Sequence, residues 1–113
     1  MNARNSLLGA PPYEVDQALR KLGADLRIAR LRRSLTAEEA AAKIGTSRYA
    51  VADAEKGKPS AGIATYAALL WIYGLVHRLA DLADPSTDEE GTRLALAREP
   101  RRARHRRELS NDF

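Results

Sequence analysis

No cysteine occurs in the 113 residues, which excludes disulfides and thiolate metal sites and is the usage expected in a reducing compartment. Aromatic residues are scarce at 5%, with one tryptophan and one phenylalanine. The hydrophobic fraction of 44% suits a folded core, but much of it is alanine, so helices must approach closely to bury it. No apolar run reaches the ~20 residues needed to cross a bilayer, and Ser6-Leu7-Leu8-Gly9-Ala10 is too short for the apolar segment of a signal peptide. His77 and His105 are isolated, with no metal-site spacing, and Gly-rich phosphate loops are missing. The expectation is a cytoplasmic protein that is not an enzyme and uses no cofactor, metal or membrane.

What is present is positive charge. The net charge is +4, and between Leu19 and Ala83 eleven basic residues face six acidic ones, a balance of +5. A basic globular segment attracts polyanions. A chain of this length holds one domain with tails. Its division is expected at 1–12, a flexible arm ending in Pro11-Pro12; at 13–83, a helical domain; and at 84–113, a C-terminal extension.

Periodicity is helical throughout. Tyr13 to Arg33 reads as a long helix, with Val15, Leu19, Leu22 and Leu26 on its core face and Ile28 and Leu31 either widening that stripe or meeting a partner. Thr36 and Glu39 have capping-box spacing and open a second helix, whose apolar face is Ala40, Ala41 and Ile44. Gly45 supplies a turn at positive φ, and Ser47 is a good N-cap for a third helix from Arg48 to about Lys56. Gly57 closes that helix and Pro59 prevents its resumption. A loop at Lys58 to Gly62 leads to a fourth helix from about Ile63 to Tyr73, with Tyr66, Leu69, Leu70 and Tyr73 at core spacing. A short fifth helix is expected at Val76 to Ala83, and Ser86 with Glu89 has the spacing to cap another. Trp71 is either a core or edge residue or, with Leu75 and Leu79, part of a dimer surface.

Two short helices joined by a tight turn, with Arg48 and Tyr49 exposed at the start of the second, place side chains as a major-groove reader does. Residues 22–75 resemble the Cro/C1-type (XRE) helix-turn-helix family. The matching residues are Leu22, Gly23, Leu26, Arg27, Arg30, Leu35, Thr36, Glu39, Ala41, Ile44, Gly45, Ser47, Val51, Glu55, Gly57, Pro59, Thr65 and Gly74. The resemblance implies an all-α, compact five-helix fold of the lambda-repressor type. It also implies a structural ion pair between Arg30 and Glu55, DNA binding through Thr36, Ser47, Arg48, Tyr49, Asp53 and Lys58, and a homodimer on a palindromic operator. Two positions depart from the pattern. Ala37 stands where relatives commonly carry a DNA-contacting Gln, and Asp53 where many carry Arg, Lys or Gln. A carboxylate there can accept from a cytosine amino group but is repelled by phosphates.

From Arg98 to Arg107 there are six arginines and one glutamate, too polar a run to fold alone. It reads as a solvated tail, a phosphate binder, or a dock for an acidic partner through Arg101, Arg102, Arg104, Arg106, Arg107 and Phe113. The order Asp84-Pro85, Asp88-Glu89, Gly91, Leu94, Pro100-Arg101-Arg102 and Asp112-Phe113 is similar to HipB-like antitoxins. That narrower resemblance implies a repressor of its own operon that neutralises a HipA-type kinase toxin by complex formation. The alternatives are a stand-alone or phage-type XRE regulator and a protein-interaction adaptor with weakened DNA binding.

Overall fold

The computed structural model describes residues 6–99. Every regular element among them is helical, and there is no strand. Contacts divide the chain into two units, one running to Leu79 and one from Ala80 onward.

The first unit contains five α-helices: α1 (Ser6–Gly9), α2 (Tyr13–Arg32), α3 (Ala37–Ile44), α4 (Arg48–Glu55) and α5 (Ile63–Ile72). Residues 6–9 belong to the stretch expected to be a flexible arm, yet they form one helical turn, closed by an Ala10 N–H donating to the Ser6 carbonyl at 2.8 Å. This turn lies against a 3₁₀ turn at Pro59–Ala61. Pro11-Pro12 stops it from growing.

Helix α2 carries Glu14 and Asp16 in its first turn and Arg30 and Arg32 in its last, the arrangement that the helix dipole favours. It buries Gly23, Leu26, Ala29 and Arg30, while Leu19 and Leu22 are partly buried. Val15 is exposed, contrary to the sequence expectation. The physical reason is where the neighbour ends: the chain leaving α4 crosses α2 at Leu19 and Arg20, and Val15 lies a turn beyond it.

The core is small and alanine-rich. Leu26, Val51 and Leu69 are its largest fully buried side chains, joined by Ala29, Ala40, Ala41, Ala54, Tyr66 and Tyr73. Helix α3 packs on α4 and α5, and α4 packs on α2. Alanine at 40, 41 and 54 brings the helix axes close enough for Val51 to be enclosed.

Helix α5 ends where Gly74 turns left-handed at φ +75° and the Leu75 N–H reaches back to the Leu70 carbonyl at 2.8 Å. The α-helix expected at Val76 to Ala83 is instead a 3₁₀ segment, Val76–Asp81. Six residues that begin one residue after a left-handed glycine form the tighter i→i+3 turns typical of short connectors.

In the second unit, α6 spans Glu89–Arg98. Its cap is Asp88, whose carboxylate accepts from the Gly91 N–H at 3.0 Å, and not the expected Ser86–Glu89 box. Ser86 is occupied in a preceding 3₁₀ turn, where its N–H donates to Asp84 Oδ1 at 2.8 Å. That hydrogen bond holds the Asp84 carboxyl below its ordinary pKa. Leu94 and Leu96 are exposed on this helix.

Candidate nucleic-acid interface

The candidate surface is built by the α3–turn–α4 segment, and its local chemistry explains its rigidity. Thr36 caps α3 reciprocally: its hydroxyl accepts from the Glu39 N–H at 3.0 Å, and its own N–H donates to Glu39 Oε1 at 2.9 Å. These bonds lower the Glu39 pKa below its ordinary value. At the other end of α3, Gly45 adopts φ +77° and the Thr46 N–H bonds to the Ala41 carbonyl at 3.0 Å. Ser47 then caps α4, its hydroxyl accepting from the Ala50 N–H at 3.2 Å. Only residues 45–47 separate the two helices.

Thr36 and Ser47 are both exposed. The Ser47 hydroxyl spends a lone pair on its helix and can still donate outward, whereas the Thr36 hydroxyl is engaged with the Glu39 side chain as well as with the helix. Arg48 and Tyr49 stand next to Ser47 on the first turn of α4, and both are exposed. They contact each other: Arg48 Nη2 donates to the Tyr49 hydroxyl at 3.1 Å, and the guanidinium carbon sits 5.0 Å from the ring centroid. Asp53 and Lys58 also meet, with the ammonium 3.2 Å from Asp53 Oδ1. The Lys58 N–H donates to the Asp53 carbonyl at 3.1 Å as well. The acidic residue at this groove-facing position of the family pattern therefore has a cation of its own.

Ala37, the other departure from the family pattern, is half-buried and packs against the core at the first turn of α3. Arg30 and Glu55 lie away from this surface, with side chains only 10% and 8% exposed, and join α2 to the end of α4. Residues 101, 102, 104, 106, 107 and 113, the expected docking residues, lie outside the described residues.

Three supporting groups escaped the sequence reading of the site. Gly23 faces the backbone at the end of α4: a Cβ there would lie 2.7 Å from the Gly57 nitrogen. A glycine in the middle of an otherwise strong helix is the signal that points to such an approach. Tyr66 donates its hydroxyl to the Lys58 carbonyl at 2.8 Å, pinning the chain that leaves α4, and burial raises its pKa. A core tyrosine needs a partner for its hydroxyl, but which carbonyl it finds is a tertiary fact. Arg33 donates to the Ala29 and Tyr73 carbonyls at 2.8 and 3.0 Å and lies over the Tyr73 ring. It ties the end of α2 to the end of α5.

Among the described residues, no cluster of three or more His, Cys, Asp or Glu could hold a metal ion, and no helix is long and apolar enough to cross a membrane. Residues 21–83 match a family model described as a helix-turn-helix domain. No curated protein and no solved structure matches the chain.

Proposed function

The chain belongs to a helix-turn-helix domain family, and on that premise we propose that it is a sequence-specific DNA-binding transcriptional repressor. The observation that carries this reading is the exposure of Arg48 and Tyr49 on the first turn of a helix whose start is fixed by the Ser47 cap and the Gly45 turn. A recognition helix reads base edges with those positions. Ser47, whose hydroxyl keeps a donor at the start of α4, suits a phosphate oxygen, and the exposed Thr36 cap stands at the start of α3 within reach of another.

One recognition helix covers only a few base pairs, so we place two of them about 34–36 Å apart in a homodimer on a palindromic operator. Trp71 supports a second-copy surface on α5. It is 63% exposed and borders an open groove with Leu35 and Ile72. A strictly monomeric species at micromolar concentration, bound to one unpaired half-site, overturns the dimer.

The test of DNA binding is a salt titration of the full chain on an enriched operator and on random duplex. Arg48→Ala is expected to cost about 1–3 kcal/mol on the operator and to relax one base per half-site, with a much smaller loss on random DNA. Equal losses on both assign Arg48 to phosphate alone. No binding to either duplex at low salt would favour the adaptor reading.

The narrower reading, an antitoxin for a HipA-type kinase, rests on the order of Asp84-Pro85, Asp88-Glu89, Gly91 and Leu94 together with the arginine-rich segment that follows. Co-expression with the product of the adjacent reading frame tests it. A stable complex with a kinase-like protein supports the antitoxin role, and an unrelated neighbour leaves a stand-alone regulator.

A further inference from the structure

We propose that Arg48 and Tyr49 act as one reading unit for two adjacent bases: guanine opposite Arg48, followed by guanine or thymine opposite the Tyr49 hydroxyl. This rests on the DNA-binding reading and specifies what that surface recognises. Consecutive helix positions diverge by about 100° around the axis and do not ordinarily face each other. Here they meet, because the long arginine folds over the tyrosine ring and donates to its oxygen. Among the described residues, neither side chain has another hydrogen bond or ion pair, so nothing else in the domain holds the pair in place.

The chemistry of the pair is one-sided. Arginine has five N–H donors, and one is spent on Tyr49. The phenol oxygen accepts from a cation, which polarises its own O–H and directs that proton outward as a donor. The unit therefore offers a continuous row of donors and few acceptors. In the major groove, guanine presents O6 and N7 as acceptors, and thymine presents O4. Cytosine presents an amino donor, which the engaged phenol oxygen is poorly placed to accept. Stacking also restricts the guanidinium before binding, so less rotamer freedom is lost when it meets guanine.

Both side chains are exposed, so substituting them leaves the core untouched. The experiment is selection of binding sites from a random duplex library with the full chain, run for the wild type, Tyr49→Phe, Tyr49→Ala and Arg48→Ala. Affinities on the selected site are then measured for these proteins and for the double variant Arg48→Ala/Tyr49→Phe. The wild type should enrich guanine followed by guanine or thymine. Tyr49→Phe keeps the ring and should retain the first preference while losing discrimination against cytosine at the second base by about fivefold. Tyr49→Ala should weaken selection at both bases. The penalties of Arg48→Ala and Tyr49→Phe should be far from multiplicative in the double variant. An unchanged second-base preference in Tyr49→Phe assigns that contact to the ring and overturns the proposal, as do strictly multiplicative penalties. Failure of the wild type to enrich any sequence is a separate result, which removes the sequence-specific reading itself.

Discussion

Arg30 and Glu55 form a bidentate clamp, with Nε 2.7 Å from Oε2 and Nη2 3.0 Å from Oε1, while Arg30 Nη1 donates to the Leu35 carbonyl at 2.9 Å. One guanidinium thereby fixes the end of α4 and the chain entering α3 to α2. The hydrogen bonds to Glu55 hold the Arg30 pKa above its ordinary value, so the charge persists at every accessible pH. Removing one partner leaves a buried charge uncompensated. Glu55→Gln or Arg30→Met is expected to cost about 3–5 kcal/mol in urea denaturation. The double variant Arg30→Met/Glu55→Leu should recover much of that loss, because two apolar side chains leave no charge behind.

Two core tyrosines should respond oppositely to loss of the hydroxyl. Tyr66 donates to the Lys58 carbonyl at 2.8 Å, whereas the Tyr73 hydroxyl is buried with no hydrogen-bond partner among the described residues. Burial raises the pKa of both phenols, so both are neutral near pH 7. Tyr66→Phe should destabilise by about 1 kcal/mol and leave a carbonyl unpaired. Tyr73→Phe is expected to be neutral or mildly stabilising, since it removes a polar group that found no partner. Thermal unfolding of the two single variants checks the sign.

The glycines separate two kinds of constraint. At Gly45 an added Cβ meets nothing within 4 Å among the described residues, so its φ of +77° is what resists substitution, and Gly45→Ala should cost about 1–2 kcal/mol. Gly23 is helical, where alanine would ordinarily be favoured by about 1 kcal/mol. Its Cβ would instead lie 2.7 Å from the Glu55 carbonyl oxygen and the Gly57 nitrogen, which are backbone atoms without room to move. Gly23→Ala is therefore expected to be the more damaging of the two. The comparison is made by denaturant midpoint.

Residues 35–57 were the most legible part of the chain because their signals are local. A capping box, a left-handed glycine and a serine cap each act within four residues, and each is found where the pattern put it. Core spacing was legible at Leu26, Tyr66, Leu69 and Tyr73 for the same reason. The misses have two sources. Nothing near Val15 reveals that the chain leaving α4 crosses α2 a turn short of it, a tertiary fact, whereas at Ser86 three neighbouring cap residues compete locally and Asp84 and Asp88 take the capping. The Asp53–Lys58 pair and the Arg48–Tyr49 stack depend on side-chain directions that residue spacing does not fix. On the candidate surface, residue identities could be read from the sequence, but not which of them engage one another.

The capping box gives α3 a pH dependence whose direction follows from Glu39. Its folded pKa lies below the ordinary 4.5 because the carboxylate accepts the Thr36 N–H. A depressed folded pKa means the stabilisation is fully present above the unfolded value and is lost as pH falls through the folded one. Glutamine can make the same contact without titrating. The difference in melting temperature between wild type and Glu39→Gln, measured at pH 6, should therefore shift in favour of the glutamine variant by pH 3. A difference independent of pH would show that the carboxylate charge contributes nothing to the cap.

Asp53 and Lys58 make the last prediction, because their pairing sets the charge that the end of α4 presents. The pair is 3.2 Å apart and about half exposed, with side chains 40% and 49% accessible, so its contribution to stability is small. Asp53→Ala should accordingly leave the melting temperature nearly unchanged. Its effect on DNA is expected to be larger. It removes a carboxylate from a surface approaching phosphates and frees the Lys58 ammonium to neutralise one of them. One added phosphate contact steepens the dependence of log affinity on log salt by about 0.9. Asp53→Ala should thus bind random duplex more tightly at low salt with a steeper slope, and Lys58→Ala should show neither change. If Asp53 instead accepts from a cytosine amino group, Asp53→Ala loses affinity only on sites carrying that cytosine. The salt titration on random and selected duplexes separates these outcomes directly.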